Sequence, residues 1–212
     1  MIARIIGDVH GKIDGYFDVL DDLYSSYEDE DLRSLQIGDM GFEEEYRARF
    51  RYMNQSEEYD TDEHVFFGGN HDNYDTIGWA EALGDFGRVP FISSSFFVRG
   101  AQSIDKDMRT EGHDYWSEEE LSWKRSNEAV NEYIKLEPDY VFSHDCPGSV
   151  AGELFPSKDL VNSHTNNLLS EMFSQHKPRR WIFGHWHSDQ TEVISGTEFT
   201  CLGELSYIDL EF

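Results

Sequence analysis

Basic residues are scarce in this chain: 17 Lys and Arg stand against 43 Asp and Glu over 212 residues, for a net charge of −26. That shortage disfavours a grip on long nucleic acid, which needs a basic track along the phosphates. It equally disfavours docking on an anionic membrane surface. An anionic small substrate is admissible where local positive charge, metal ions above all, overrides the global field. No apolar window approaches the ~20 residues of a membrane span. Met1-Ile2-Ala3-Arg4 leads into no extended apolar segment, so no secretory signal is expected. Two cysteines, Cys146 and Cys201, give neither a disulfide framework nor paired thiolate spacing, and a reducing, cytoplasmic setting is the expectation. No fixed-period repeat breaks the chain, and the acidic runs Glu28–Asp31, Glu43–Glu45 and Glu118–Glu120 read as solvated faces. The length suits a single domain spanning residues 1–212.

What the chain does have is a series of short apolar runs, each followed by polar residues. Ile2–Ile6 reads as a buried strand, and Gly7-Asp8-Val9-His10-Gly11 follows it. Side chains two apart in extended backbone point the same way, so Asp8 and His10 converge. The plainer alternative is that Asp8 caps the next helix and His10 merely packs. Ile13, Phe17, Leu20, Tyr24 and Tyr27 then recur as a helical stripe. Leu35-Gln36-Ile37 predicts a second strand ending in Gly38-Asp39. A helix is expected over Glu43–Glu58, with Tyr46, Phe50 and Met53 on one face. Val65–Phe67 predicts a third strand ending in Gly68-Gly69-Asn70-His71-Asp72. Such a β-α-β-α-β order gathers function beyond the carboxyl ends of its strands.

A helix is expected over Thr76–Leu83, then a strand at Phe96–Val98 ending at Arg99-Gly100. Ser103–Trp116 is polar and reads as a long loop over the site, an insertion around residues 99–116. Ser117 with Glu120 makes a capping box, predicting a helix that runs to Leu136 before Pro138. Tyr140–Phe142 predicts a strand ending in Ser143-His144-Asp145-Cys146-Pro147, followed by a helix over Ser157–His176. Trp181–Phe183 ends in Gly184-His185-Trp186-His187, and Gln190–Phe212 suggests an antiparallel pair or meander.

The strand ends thus collect Asp8 with His10, Asp39, Asn70, His144, and His185 with His187. One histidine at a strand end is usually a satisfied polar residue. Five of the nine following apolar runs is a pattern chance explains poorly. Imidazole nitrogen with carboxylate and amide oxygen suits Mn first, with Fe, Zn, Co or Ni as alternatives, and the absence of thiolates argues against a structural zinc site. Seven ligands can hold two divalent ions if one carboxylate bridges, which is the arrangement that clamps an in-line displacement.

These five blocks, in order from Gly7 to His187, resemble the calcineurin-like metallophosphoesterases. That family's signature runs Asp-x-His, Gly-Asp, Gly-Asn-His-Asp/Glu, a lone His, and Gly-His-x-His. The resemblance implies an α/β fold, a two-sheet β-sandwich flanked by α-helices, with a dinuclear site between the sheet ends. It implies Asp8, His10 and His187 for one cation, Asn70, His144 and His185 for the other, and Asp39 bridging. His71 matches the family histidine that is not a ligand but lies over the substrate phosphate. The reaction implied is attack of a cation-bridging hydroxide on phosphorus while His71 protonates the leaving oxygen. His71 and Asp39 are then expected as the catalytic residues, with Asn70 and His71 in contact with substrate.

The first block resembles the phosphoprotein phosphatase branch. The second does not: it reads Gly38-Asp39-Met40-Gly41-Phe42-Glu43, where that branch has Asp-Arg-Gly. The aspartate that orients the catalytic histidine there, and the arginine that grips phosphate, have no counterpart, and the third block ends in Asp72 rather than Glu. Arg99–Asp105, with Arg109 and Trp116, resembles a segment of small bacterial and phage members. Arg109 is the candidate phosphate contact, with a surface ion pair to its acidic neighbours as the alternative. His113 reads as a solvated loop residue, and His64, His164 and His176 as structural. The activity expected is metal-dependent hydrolysis of a phosphomonoester or phosphoprotein. A phosphodiesterase acting on cyclic nucleotides or short oligonucleotides is the alternative, and a non-catalytic metal-binding scaffold is the reading from another class.

Overall fold

Strands with apolar residues on both faces must be covered twice, and this chain does so by stacking two sheets and laying helices outside them. The computed structural model describes residues 1–27, 30–41, 64–77, 82–156 and 163–212. One sheet joins β1 (Ile2–Ile6), β2 (Leu32–Gln36) and β3 (His64–Phe66) in parallel, with β10 (Tyr207–Glu211) antiparallel on the outer edge of β1. The other has the order β4 (Phe86–Gly87), β5 (Ser95–Val98), β6 (Tyr140–Ser143), β7 (Arg180–Phe183), β9 (Thr197–Cys201) and β8 (Gln190–Ile194). Its four central strands are parallel and its two edge strands antiparallel.

The two-residue period of a strand sorts the core. Ala3, Ile5, Leu35, Ile37 and Val65 face Phe97, Phe142, Ile182 and Leu202 between the sheets. Ile6 and Phe66 turn outward against Ile13, Tyr16, Phe17 and Leu20 of α1 (Ile13–Ser26). On the far side Phe96, Val141, Trp181 and Phe183 pack under α2 (Trp123–Leu136), α3 (Gly148–Leu154) and α4 (His164–Gln175). Arg4 is buried in β1 and forks onto Asp209 of β10 at 2.7 and 2.8 Å, reaching Asp22 of α1 at 2.9 Å. The layers therefore run helix, sheet, sheet, helix. No helix of the described residues is long and apolar enough to cross a membrane.

Several expectations are corrected. The helix expected from Ser117 is a 3-10 turn over Ser117–Glu119, and α2 starts only after Ser122, whose Oγ caps Arg125 N. Glu120 fails as the capping-box partner because its Oε1 accepts from Thr165 N at 2.7 Å and Thr165 Oγ1 at 3.0 Å, in the first turn of α4. The helix expected over Thr76–Leu83 is not seen at its described ends: Thr76 lies in a turn and Ala82 bridges Phe66 of β3, while 78–81 lie outside the described residues. Of the helix expected over Ser157–His176, His164–Gln175 is helical, capped by Ser163 Oγ, and 157–162 lie outside the described residues, as does the helix expected over Glu43–Glu58. Of the antiparallel pair or meander expected over Gln190–Phe212, the pair is present as β8 with β9, but it does not continue as a meander. β9 joins β7 in parallel, and β10 crosses to the other sheet.

Candidate metal centre

Each candidate residue sits in the loop that leaves a parallel strand, and the loops of both sheets meet. Val9 N and His10 N donate to Asp39 O at 3.0 and 2.8 Å, joining the ends of β1 and β2. Gly184 N donates to His144 O at 2.9 Å, joining the ends of β6 and β7. The two sheets are tied by Asp8, whose carboxylate accepts from His185 N at 3.1 Å. Asp8 does not cap α1, which begins after Lys12 without a side-chain cap.

Close packing explains why the motifs carry glycine. A Cβ on Gly69 would overlap Asp39 Oδ1, and one on Gly184 would overlap Asp8 Oδ1. The backbone is strained at the same place. Of eight described non-glycine residues with positive φ, four are His10, Asp39, His185 and His187, at 50°, 56°, 67° and 48°. Such conformations cluster where a site dictates them.

All seven candidate ligands converge. Asp8, His10 and His187 form one triad of donor atoms, and Asp39, His144 and His185 another. Within the first, His187 Nε2 lies 3.3 Å from Asp8 Oδ2 and 3.0 Å from His10 Nε2. Within the second, His144 Nε2 is 3.1 Å from Asp39 Oδ2. Asn70 Oδ1 joins that end, 3.1 Å from His144 Nε2 and 2.9 Å from His185 Nδ1. Asp39 lies between the two triads, its Oδ2 3.9 Å from His10 Nε2.

The donor set fits divalent cations, and two observations carry that. His144 Nδ1 faces the carbonyl of Ile37 at 3.0 Å and must be the protonated nitrogen of a neutral ring. Its Nε2 lone pair then confronts two oxygens, an arrangement that needs a positive charge among them. Asp39 Oδ2 is also buried and accepts no hydrogen bond, a costly state for a carboxylate. Without a cation a proton takes that place. Burial works against a charged His144, but Asp39 and Asp8 outweigh it and lift the ring's pKa to about 10. Burial likewise raises Asp39, yet His144, His71 and His10 bring it well below the usual carboxylate range. His185 is lowered by burial, and His187 is raised by its bond to Asp8.

His71 belongs to neither of these triads but shares a third group of close donor atoms with His10 and Asp39. Its backbone N donates to Asp39 Oδ1 at 2.8 Å, and its Nδ1 lies 2.9 Å from Arg109 Nη1. Arg109 only donates, and it lies closer to Nδ1 than to Nε2, where its Nη2 is 3.5 Å away, so Nδ1 accepts and the neutral ring carries its proton on Nε2. Burial lowers the pKa of His71 and Arg109 adds to that, while Asp39 opposes them. Arg109 also pairs with Asp105 at 2.6 Å, which is the ion-pair reading of the sequence, and it lines the cavity beside His71. Asp72 turns away from the donors and accepts backbone N–H groups from Gly69 at 2.8 Å, Gly41 at 2.7 Å and Met40 at 3.3 Å. His113 is exposed, and His64, His164 and His176 bond to Ser34, Ser126 and the Pro138 carbonyl, away from the centre.

A cavity of about 490 Å³ opens onto Asp39, Asn70 and His71 and extends past Ile104 and Arg109 to Trp186 and Asn166. Several of its residues carried no sequence signal. Trp186 stacks on Phe155 at 4.5 Å and donates from Nε1 to Asp145 Oδ1 at 2.9 Å. Asp145 in turn accepts from Asn166 Nδ2 at 2.7 Å. Position beside His144 and His185 is the signal that would have found Asp145 and Trp186, whereas Asn166 is met only in space.

Comparison with known proteins bears on this arrangement. The sequence model of the calcineurin-like phosphoesterase family matches residues 4–189. Among curated proteins none matches the sequence. Among solved structures, a dimetal phosphatase from Danio rerio superposes with a TM-score of 0.55 at 12% identity, over 99% of this chain and 91% of its own. A phosphopantetheinyl hydrolase from Mycobacterium tuberculosis superposes with a TM-score of 0.50 at 14% identity, over 95% of this chain and 89% of its own. At these identities the likeness is one of fold.

Proposed function

The chain belongs to the calcineurin-like phosphoesterase family, and on that premise we propose that it is a metal-dependent hydrolase of phosphomonoesters working with two divalent cations, manganese foremost. Asp8, His10 and His187 would hold one cation, Asn70, His144 and His185 the other, and Asp39 both. The observation that carries this reading is Asp39 Oδ2, buried with ring nitrogens beside it, His144 Nε2 at 3.1 Å and His10 Nε2 at 3.9 Å. The chemistry such cations would supply, when bound, is a lowered pKa for a water and neutralisation of the phosphoryl oxygens.

The protein's own residues supply the rest. His71, with its proton on Nε2, presents a donor at the cavity for the oxygen that leaves with the alcohol. Arg109 fixes that tautomer and, with its Nε on Asp105, keeps Nη groups that can reach a phosphoryl oxygen in the cavity. The cavity beyond the cations, flanked by Ile104 and Trp186, leaves room for an organic group on the ester. Two free, buried cysteines fit a reducing, cytoplasmic setting.

The test compares para-nitrophenyl phosphate with bis-para-nitrophenyl phosphate in Mn, Zn, Mg and Ni, for the wild type and Asp39→Asn. Monoester turnover in Mn that Asp39→Asn abolishes is the expected result. A higher kcat/KM on the bis-ester overturns the monoester reading, and a folded wild type that turns over neither ester in any of the four metals overturns the enzyme.

A further inference from the structure

Asn70 can aim its oxygen at His144 and His185 only if its amide nitrogen is held on the other side. Asn70 Nδ2 meets Ser103 Oγ at 3.1 Å, 33 residues downstream. Ser103 is held in turn, its backbone N donating to Glu119 Oε1 at 3.1 Å. All three residues are 2% exposed. Glu119 Oε2 accepts no hydrogen bond, so this carboxyl is buried at a cost that its contact with Ser103 helps offset.

We propose that Ser103 and Glu119 are a positioning pair that orients Asn70 Oδ1 toward His144 and His185, and so sets the cation affinity of that end of the site. The proposal rests on the reading of Asn70 as a ligand. It also gives the loop after β5 a defined task. Ser103 near its start holds Asn70, and Arg109 further along holds the adjacent His71, so one segment orients two consecutive residues of the β3 loop. Partners of this kind typically tune metal affinity about 10- to 100-fold.

The experiment titrates metal-free protein with Mn(II) by calorimetry, which reads binding without turnover. Wild type is expected to take up two equivalents. Ser103→Ala should keep one position at wild-type affinity and weaken the other about tenfold or more. Glu119→Ala should act in the same direction, while Glu119→Gln, which keeps an acceptor oxygen for Ser103 N, should restore wild-type binding. The melting temperature of the metal-free variants controls for folding, since a merely structural role would lower it and weaken both positions together. A wild type that binds two ions beside a folded Ser103→Ala that binds both equally well overturns the positioning pair and leaves the site reading intact. Uptake of no manganese by the wild type overturns both.

Discussion

Arg109 Nη1 and His71 Nδ1 stand 2.9 Å apart, joining a loop arginine to the residue beside Asn70. In the phosphoprotein phosphatase branch that the first motif resembles, an aspartate orients the equivalent histidine. Here the contact comes from a cation, which can only donate, so the proton of neutral His71 stays on Nε2. Arg109→Ala is expected to lower kcat/KM on para-nitrophenyl phosphate at least tenfold, about 1.4 kcal/mol of transition-state stabilisation. Arg109→Lys should recover only part of it, because an ammonium lacks the planar fork. Steady-state kinetics checks this, and unchanged values for Arg109→Ala would remove the residue from the site.

Asp72 holds the β2 and β3 loops together through N–H groups of Gly69, Gly41 and Met40. Asp72→Asn turns one acceptor oxygen into a donor facing those N–H groups. The expected cost is about 2 kcal/mol. Urea denaturation should show a lower midpoint at unchanged slope. A midpoint equal to wild type would contradict that role for Asp72.

His64, buried in β3 against Ser34, has its pKa lowered to about 4 by burial, with Arg33 contributing. The unfolded chain takes up this proton near its ordinary value of 6.5, before the folded one does. Stability is therefore full above that value, falls as pH drops through the window from 6.5 to about 4, and levels off below it. The loss from this one group is on the order of 3 kcal/mol. His64→Gln should flatten the dependence of unfolding free energy on pH across that window. A wild-type slope in the variant would show that His64 is not its source.

The positions of the strand-end residues were legible because backbone geometry delivers them. An apolar run must end, glycine lets neighbouring loops approach, and the next polar residue lies at the sheet's carboxyl edge. Asp8, Asp39, Asn70, His144 and His185 could be read that way from the chain alone. What could not be read depends on distant partners. Glu120 lies at capping-box spacing from Ser117, yet the first turn of α4 recruits its carboxylate. β4 has two residues, too few to show a period, and β10 chooses β1 over its sequence neighbours. Ser103 and Glu119 are unremarkable in sequence, and only in space does Ser103 meet both Asn70 and Glu119.

The central claim is that the loops of two sheets hold a pair of cations around Asp39. Its most direct test is anomalous scattering from manganese-soaked crystals, with elemental analysis of the same protein. Two manganese peaks ~3.5–4 Å apart are expected, ligated by Asp8, His10, Asp39, Asn70, His144, His185 and His187, at two equivalents per chain. Peaks elsewhere, or no bound manganese, would contradict it.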